Sequence, residues 1–267
     1  MFSFNKSLPL RLVQITDTHL FGEPNKLLMG IDTYHSLQSV VAQVRLRPAI
    51  DLMLLSGDLS QDDSLNSYLR LQQSLAEFDC PQYWYKGNHD NQAVMEQVAA
   101  EHGYLESIIR TPHWQIILLD SQVEGSVFGY LAEDQLQLLE QALNEHPNLH
   151  TLISFHHHPI PMESAWLDRI NLKNADEFLA LIQRFNNVRA VLWGHVHQES
   201  DRTLNGVRFL STPSTCVQFK PNCAEFTVDE LSPGYRWLDL HADGSIDTQV
   251  ERVDSQQFLP DVSINGY

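Results

Sequence analysis

Short apolar runs alternate with amphipathic ones along roughly the first 200 residues of this chain. Residues 10–16, 51–56, 82–85, 114–120, 149–155 and 188–193 are rich in Leu, Val, Ile, Trp and Tyr. Runs of that length read as strands buried on both faces, as inside parallel sheets. Between them apolar residues recur at helical spacing: Leu37, Val40, Val41 and Val44 within 33–47, Leu136, Leu139 and Leu143 within 133–144, and the stretches 64–78, 91–102 and 174–185. Thr33 is the expected cap of the first helix and Pro48 its stop. Strand and helix in alternation predict a parallel sheet with right-handed crossovers.

After residue 200 the pattern changes. Asn205-Gly206 and Asp243-Gly244 read as two-residue hairpin turns beside the strand-like runs 207–210, 235–240 and 246–253. One sheet of βα units and a second built largely of hairpins would pack face to face with helices outside, a four-layer α/β/β/α sandwich. No linker rich in Gly, Pro or Ser divides the chain, so residues 1–267 read as a single domain, with 255–267 a loosely held tail.

Composition narrows the function. The 43% hydrophobic content is that of a globular protein. No apolar run approaches the ~18 residues of a membrane span, and residues 1–6 lack the basic-then-apolar order of a secretory signal. Cys80, Cys216 and Cys223 fit no zinc-finger spacing and read as free thiols of a reducing cytoplasm. The net charge of −17, with no cluster of Lys and Arg to displace phosphate counterions, argues against a nucleic-acid partner. It leaves room for a small anionic ligand, because a bound cation inverts the local field. The 13 histidines point the same way, since imidazole is the commonest transition-metal ligand.

Those histidines gather where the strands end. The carboxyl ends carry Asp17-Thr18-His19, Gly57-Asp58, Gly87-Asn88-His89-Asp90, His156-His157-His158 before Pro159, and Gly194-His195-Val196-His197. In open α/β sheets this edge is where ligands sit. Each piece alone is ordinary: Gly-Asp is usually a turn, Asn-His-Asp a polar loop, a histidine pair a solvated one. Five in order, each after a buried strand, are hard to obtain by accident. His195 and His197 are expected to point the same way because side chains alternate along extended backbone, with Gly194 letting the chain turn. Imidazoles and carboxylates together favour Mn, Fe, Co, Ni or Zn over Ca or Mg. Asp58 can offer its two oxygens to two ions about 3.5–4 Å apart. Asn88, a neutral ligand, would leave the ions net positive charge to attract a phosphate. In the histidine triple, strand register favours His156 as the ligand, with His157 turned to the opposite face and hydrogen-bonded.

In this order the motifs resemble the calcineurin-like metallophosphoesterases over about residues 10–215. The resemblance implies two divalent transition-metal ions (Fe, Mn, Zn or Co). One would be held by Asp17, His19, Asp58 and His197, the other by Asp58, Asn88, His156 and His195. Purple acid phosphatases have a similar pattern but carry a tyrosine three residues after the bridging aspartate, where this chain has Gln61. Within the superfamily, residues 14–21, 118–122, 156–159 and 212–221 look like those of bacterial class III 3′,5′-cyclic-AMP phosphodiesterases, a likeness that runs nearly to Tyr267. It implies hydrolysis of cyclic AMP to 5′-AMP.

The expected nucleophile is a hydroxide bridging the ions. The phosphodiester would lie against His19, Asp58, Asn88, His89 and His197, with Asn88 and His89 as catalytic residues. His89, adjoining a ligand, is the candidate donor to the leaving 3′ oxygen; its alternative is a hydrogen-bonding role beside the ligands. Two further readings stand beside this one: a broad phosphodiesterase or phosphomonoesterase, and a non-catalytic metal-binding regulatory protein. Trp166 is a candidate either to stack on adenine or to anchor its loop, with Phe21 and Phe219 ranked behind it.

Overall fold

The computed structural model describes residues 9–47, 49–253, 257–264 and 266. The reading of residues 1–6, Pro48 as a helix stop, and residues 255, 256, 265 and 267 of the tail lie outside the described residues. In chain order the elements are β1 (Leu10–Ile15), α1 (Thr33–Val44), β2 (Leu52–Ser56), α2 (Leu65–Leu75), β3 (Gln82–Tyr85), α3 (Gln92–Ala99), β4 (Ile108–Arg110) and β5 (Trp114–Leu118). They continue with α4 (Glu133–Glu145), β6 (His150–Ser154), α5 (Ala175–Ile182), β7 (Val188–Trp193), β8 (Ser200–Leu204), β9 (Val207–Ser211), β10 (Gly234–Leu240) and β11 (Ile246–Arg252).

Two sheets result. One runs β11-β10-β1-β2-β3, the other β8-β9-β7-β6-β5-β4. β1, β2 and β3 are mutually parallel, as are β5, β6, β7 and β9. This corrects the expectation of a separate hairpin sheet. Both sheets are built of βα units, and the late hairpins are divided between them as edges: β10 pairs antiparallel with β1, and β9 lies parallel to β7. A strand such as β10, with Tyr235, Leu238 and Leu240 buried, needs a neighbour with an apolar face, and β1 supplies it.

Side-chain alternation explains the layers. Leu12, Leu52 and Leu54 of one sheet meet Ile116, Leu152, Leu192 and Leu210 of the other in the layer between sheets. Their chain neighbours Val13, Met53, Leu55, Ile117, Ile153 and Val191 belong to the core shared with the helices. Strands committed on both faces are what continuous apolar runs encode. Toward the carboxyl ends the filling turns polar: Tyr85 Oη lies 2.6 Å from Ser154 Oγ, and Gln14 Nε2 donates to Ser56 Oγ at 2.7 Å.

Three local expectations change. The cap of α1 is Asp32, whose carboxylate accepts from His35 N at 3.0 Å; Thr33 is already inside the first turn. Asn205-Gly206 is a two-residue turn with both residues at positive φ, Leu204 facing Val207. Asp243-Gly244 instead sits in a five-residue loop between Leu240 and Ile246, where the Asp243 carboxylate accepts from Ser245 N at 2.9 Å. In the described part of the tail, Phe258 is buried and Asp261 N donates to Met29 O at 2.8 Å, so this part is held against the body. No helix among the described residues is long and apolar enough to cross a membrane.

Candidate metal centre

The five motifs meet at the carboxyl ends of β1, β2, β3, β6 and β7. Their backbone is not extended there. Asp17, His19, Asp58, His195 and His197 all lie in the left-handed region, with φ between 43° and 63°. Non-glycine residues are uncommon in that region and tend to mark functional sites when they cluster. His195 and His197 do not continue the strand alternation past Trp193: both are left-handed, and they join different groups of ligand atoms. Gly194 is not itself at positive φ; a Cβ there would run into Thr16 Oγ1 and Asp17 Oδ2, so its task is close approach. Gly87 does the same beside Asp58 and His156.

Three groups of side chains bring ligand atoms within 4.8 Å of one another: Asp17, His19 and His197; His19, Asp58 and His89; Asp58, His156 and His195. Asp58 and His19 each belong to two of them. His156 Nε2 is 3.1 Å from Asp58 Oδ2, His197 Nε2 is 3.3 Å from Asp17 Oδ1, and the Nε2 atoms of His19 and His197 are 3.2 Å apart. The opposite ring nitrogens are anchored. His19 Nδ1 lies 2.7 Å from Gln61 Oε1, His156 Nδ1 2.9 Å from Ser56 O and His197 Nδ1 2.8 Å from Val217 O. A carbonyl acceptor on Nδ1 fixes the tautomer and leaves the Nε2 lone pair toward the centre, as metal-binding histidines require. His195 reverses the pattern: its Nε2 lies 3.1 Å from Ile170 O, leaving Nδ1 to face inward.

The donors fit cations. Asn88 Oδ1 is buried without a hydrogen-bond partner, an arrangement that costs free energy unless something electropositive faces it. Burial pushes the imidazolium of His19 down to about 3, and burial with neighbouring imidazoles holds His195 well below its usual range. These rings stay neutral and ligand-ready at pH 7. Burial would raise the Asp58 carboxyl, but the imidazoles of His156 and His89 reverse this and hold it well below the carboxylate range. Burial also disfavours charge on His156, yet Asp58 lifts it to about 9. The pair keeps a proton at the spot where a cation would neutralise Asp58 instead.

His156 joins the ligand groups and His157 does not. His157 Nδ1 lies 2.8 Å from Ser121 Oγ, which matches the expected hydrogen bond. Its ring, however, packs 4.6 Å from that of His195 rather than turning away from the site. Trp166 packs edge-on against Phe219 and Phe226 at 5.1 and 5.0 Å, the anchoring arrangement. Phe219 lies flat on the His197 ring, and Phe21 packs against the core.

Sequence reasoning passed over Asp90. Its buried carboxylate accepts from Leu59 N (3.0 Å), Ser60 N (3.1 Å), Gly87 N (2.8 Å) and Tyr68 Oη (3.0 Å), tying the Asp58 loop to the Asn88 loop. The available signal was its place as the last residue of Gly87-Asn88-His89-Asp90. Gln61, noted only as a departure from another branch, turns out to orient His19.

Layered α/β/β/α sheets whose carboxyl edges converge on buried Asp and His define a phosphoesterase class, and the chain belongs to the calcineurin-like phosphoesterase family, whose model matches residues 10–199. Among its relatives, the 3′,5′-cyclic adenosine monophosphate phosphodiesterase CpdA of Pseudomonas aeruginosa is 46% identical over 96% of this chain and 94% of its own length. The protein of that name from Escherichia coli K12 is 44% identical over 97% and 95%. A 3′,5′-cyclic-nucleotide phosphodiesterase of Nostoc is 40% identical over 93% and 94%. The fold is shared with a dimetal phosphatase from Danio rerio, at a TM-score of 0.67 and 16% identity over 92% of this chain and all of that one.

Proposed function

We propose that this chain hydrolyses 3′,5′-cyclic AMP to 5′-AMP with the help of two divalent transition-metal ions, drawn from Fe, Mn, Zn and Co. The observation that carries the reading is the Asp58 carboxylate, which stands in two ligand groups at once. The names of relatives 40–46% identical along nearly the whole chain support the substrate. Asp17, His19, Asp58 and His197 would hold one ion, and Asp58, Asn88, His156 and His195 the other. When bound, such a pair lowers the pKa of water and draws negative charge from a phosphate.

The chain's own groups do the rest. The phosphodiester lies against His19, Asp58, Asn88, His89 and His197. Asn88 holds the phosphate in place, and its backbone segment is pinned by the Gly87–Asp90 hydrogen bond at 2.8 Å. Water adds to phosphorus in line with the ribose 3′ oxygen and gives up a proton to solvent, the P–O3′ bond breaks, and His89 delivers a proton to that oxygen and regains one from solvent. The net negative surface and the three free cysteines fit a cytoplasmic enzyme with no nucleic-acid partner. The test is hydrolysis by metal-reconstituted protein of cyclic AMP beside p-nitrophenyl phosphate and its bis ester. Preferred cleavage of cyclic AMP with 5′-AMP as product is expected. Release of 3′-AMP, preference for the monoester, or no turnover with both ions bound would refute the reading.

A further inference from the structure

The run Thr212-Pro213-Ser214-Thr215-Cys216-Val217-Gln218-Phe219 lies beyond residues 10–199, the stretch matched by the family model, and the reaction above uses none of it directly. In space it crosses the ends of β1 and β7. Ser214 Oγ donates to Asp17 O at 2.7 Å, and Thr215 N donates to Thr16 O at 3.2 Å. Val217 O accepts from His197 Nδ1 at 2.8 Å, while Phe219 N donates to His197 O at 3.4 Å. The Phe219 ring then covers the His197 ring at 4.2 Å between centroids, with 7° between planes.

These contacts constrain His197 about both axes that matter. An N–H···O=C bond fixes the direction of Nδ1 and so of Nε2, but leaves the ring free to tilt about that line. A flat aromatic face removes the tilt. Phe219 cannot yield, being 2% exposed and met edge-on by Trp166 at 5.1 Å and Phe226 at 5.3 Å. The run is braced from behind as well: Gln218 Nε2 donates to Ser214 O at 2.8 Å, and Gly234 N donates to the same oxygen at 3.1 Å. His156 and His195, by contrast, are held by Ser56 O and Ile170 O, from other parts of the chain.

We propose that residues 214–219 form a positioning strap for one cation of the pair, with Phe219 the positioning residue that sets the plane of His197. The proposal rests on the two-cation reading above. The strap makes the Asp17–His19–His197 site adjustable on its own, from outside the part of the chain that the family model matches.

The experiment is calorimetric titration of cation-free full-length protein with Mn(II), resolving two binding steps. Wild type is expected to bind two ions. Phe219→Leu, which keeps bulk but loses the flat face, is expected to weaken one step by about ten- to a hundred-fold and leave the other unchanged. Ser214→Ala should weaken the same step. Unchanged affinities in Phe219→Leu, or an equal loss at both steps, would overturn the strap. Fewer than two ions in wild type would overturn the two-cation reading itself. If circular dichroism shows Phe219→Leu unfolded, Ser214→Ala decides alone: a loss at one step supports the strap and no loss refutes it.

Discussion

The backbone N–H of His89 donates to Asp58 Oδ1 at 2.9 Å, a contact of the shared carboxylate with the main chain of the proposed acid that survives loss of the imidazole. The two functions are therefore separable. His89→Ala is expected to lower kcat by about 10²–10⁴-fold while two ions stay bound. Metal analysis beside single-turnover kinetics checks this, and loss of an ion in the variant would make His89 a ligand.

Asp90 satisfies buried donors from two loops. Asp90→Ala leaves Leu59 N, Ser60 N and Gly87 N without their acceptor, at about 1–3 kcal/mol for a group so abandoned. Urea denaturation should show a loss of roughly 3 kcal/mol or more. A midpoint equal to wild type would remove Asp90 from its clamping role.

Gly194→Ala is expected to displace Asp17, since the new methyl would meet Thr16 Oγ1 and Asp17 Oδ2. Overpacking of this kind costs about 1–3 kcal/mol. The variant should also retain less than two ions per chain after dialysis, which elemental analysis measures.

Asp32 contributes through α1. Burial would raise its carboxyl, but hydrogen bonds from the His35 backbone and side chain outweigh that and lower it. A depressed acid stabilises the fold above its unfolded pKa and loses that contribution as pH falls through the carboxylate range. Asp32→Ala should cost about 1 kcal/mol near neutrality and progressively less in acid. Thermal unfolding of both proteins across pH tests the convergence.

Cation removal should cost stability as well as activity. Ions that bind only the folded chain add about 2.7 kcal/mol per site at a hundredfold excess over Kd. Chelator should lower Tm by about 5 °C or more and abolish turnover, with both restored by Mn(II) or Co(II). Turnover that survives chelation would contradict the proposed function.

Much of this was legible because burial on two faces leaves an unmistakable trace. β2, Leu52–Ser56, could hardly be anything but an interior strand, and polar residues following such strands had to sit at one edge. What stayed hidden depends on contacts between distant segments. Nothing in residues 235–240 says that β10 pairs with β1 rather than forming a sheet with other hairpins. Asp32 outcompetes Thr33 as a cap by one residue, a margin that local propensity does not resolve. The contact of Phe219 with His197 links residues 22 apart through a loop whose path no periodicity encodes.

Left-handed backbone at Asp17, His19, Asp58, His195 and His197 opposes folding by about 1–2 kcal/mol at each position. The scaffold tolerates this because its two sheets hold the strand ends in register. A descendant released from catalysis would thus have an easy route to greater thermal robustness, drifting toward glycine or asparagine at those five positions. Glycine at the same five places in a related sequence would mark a retired enzyme before any assay was run.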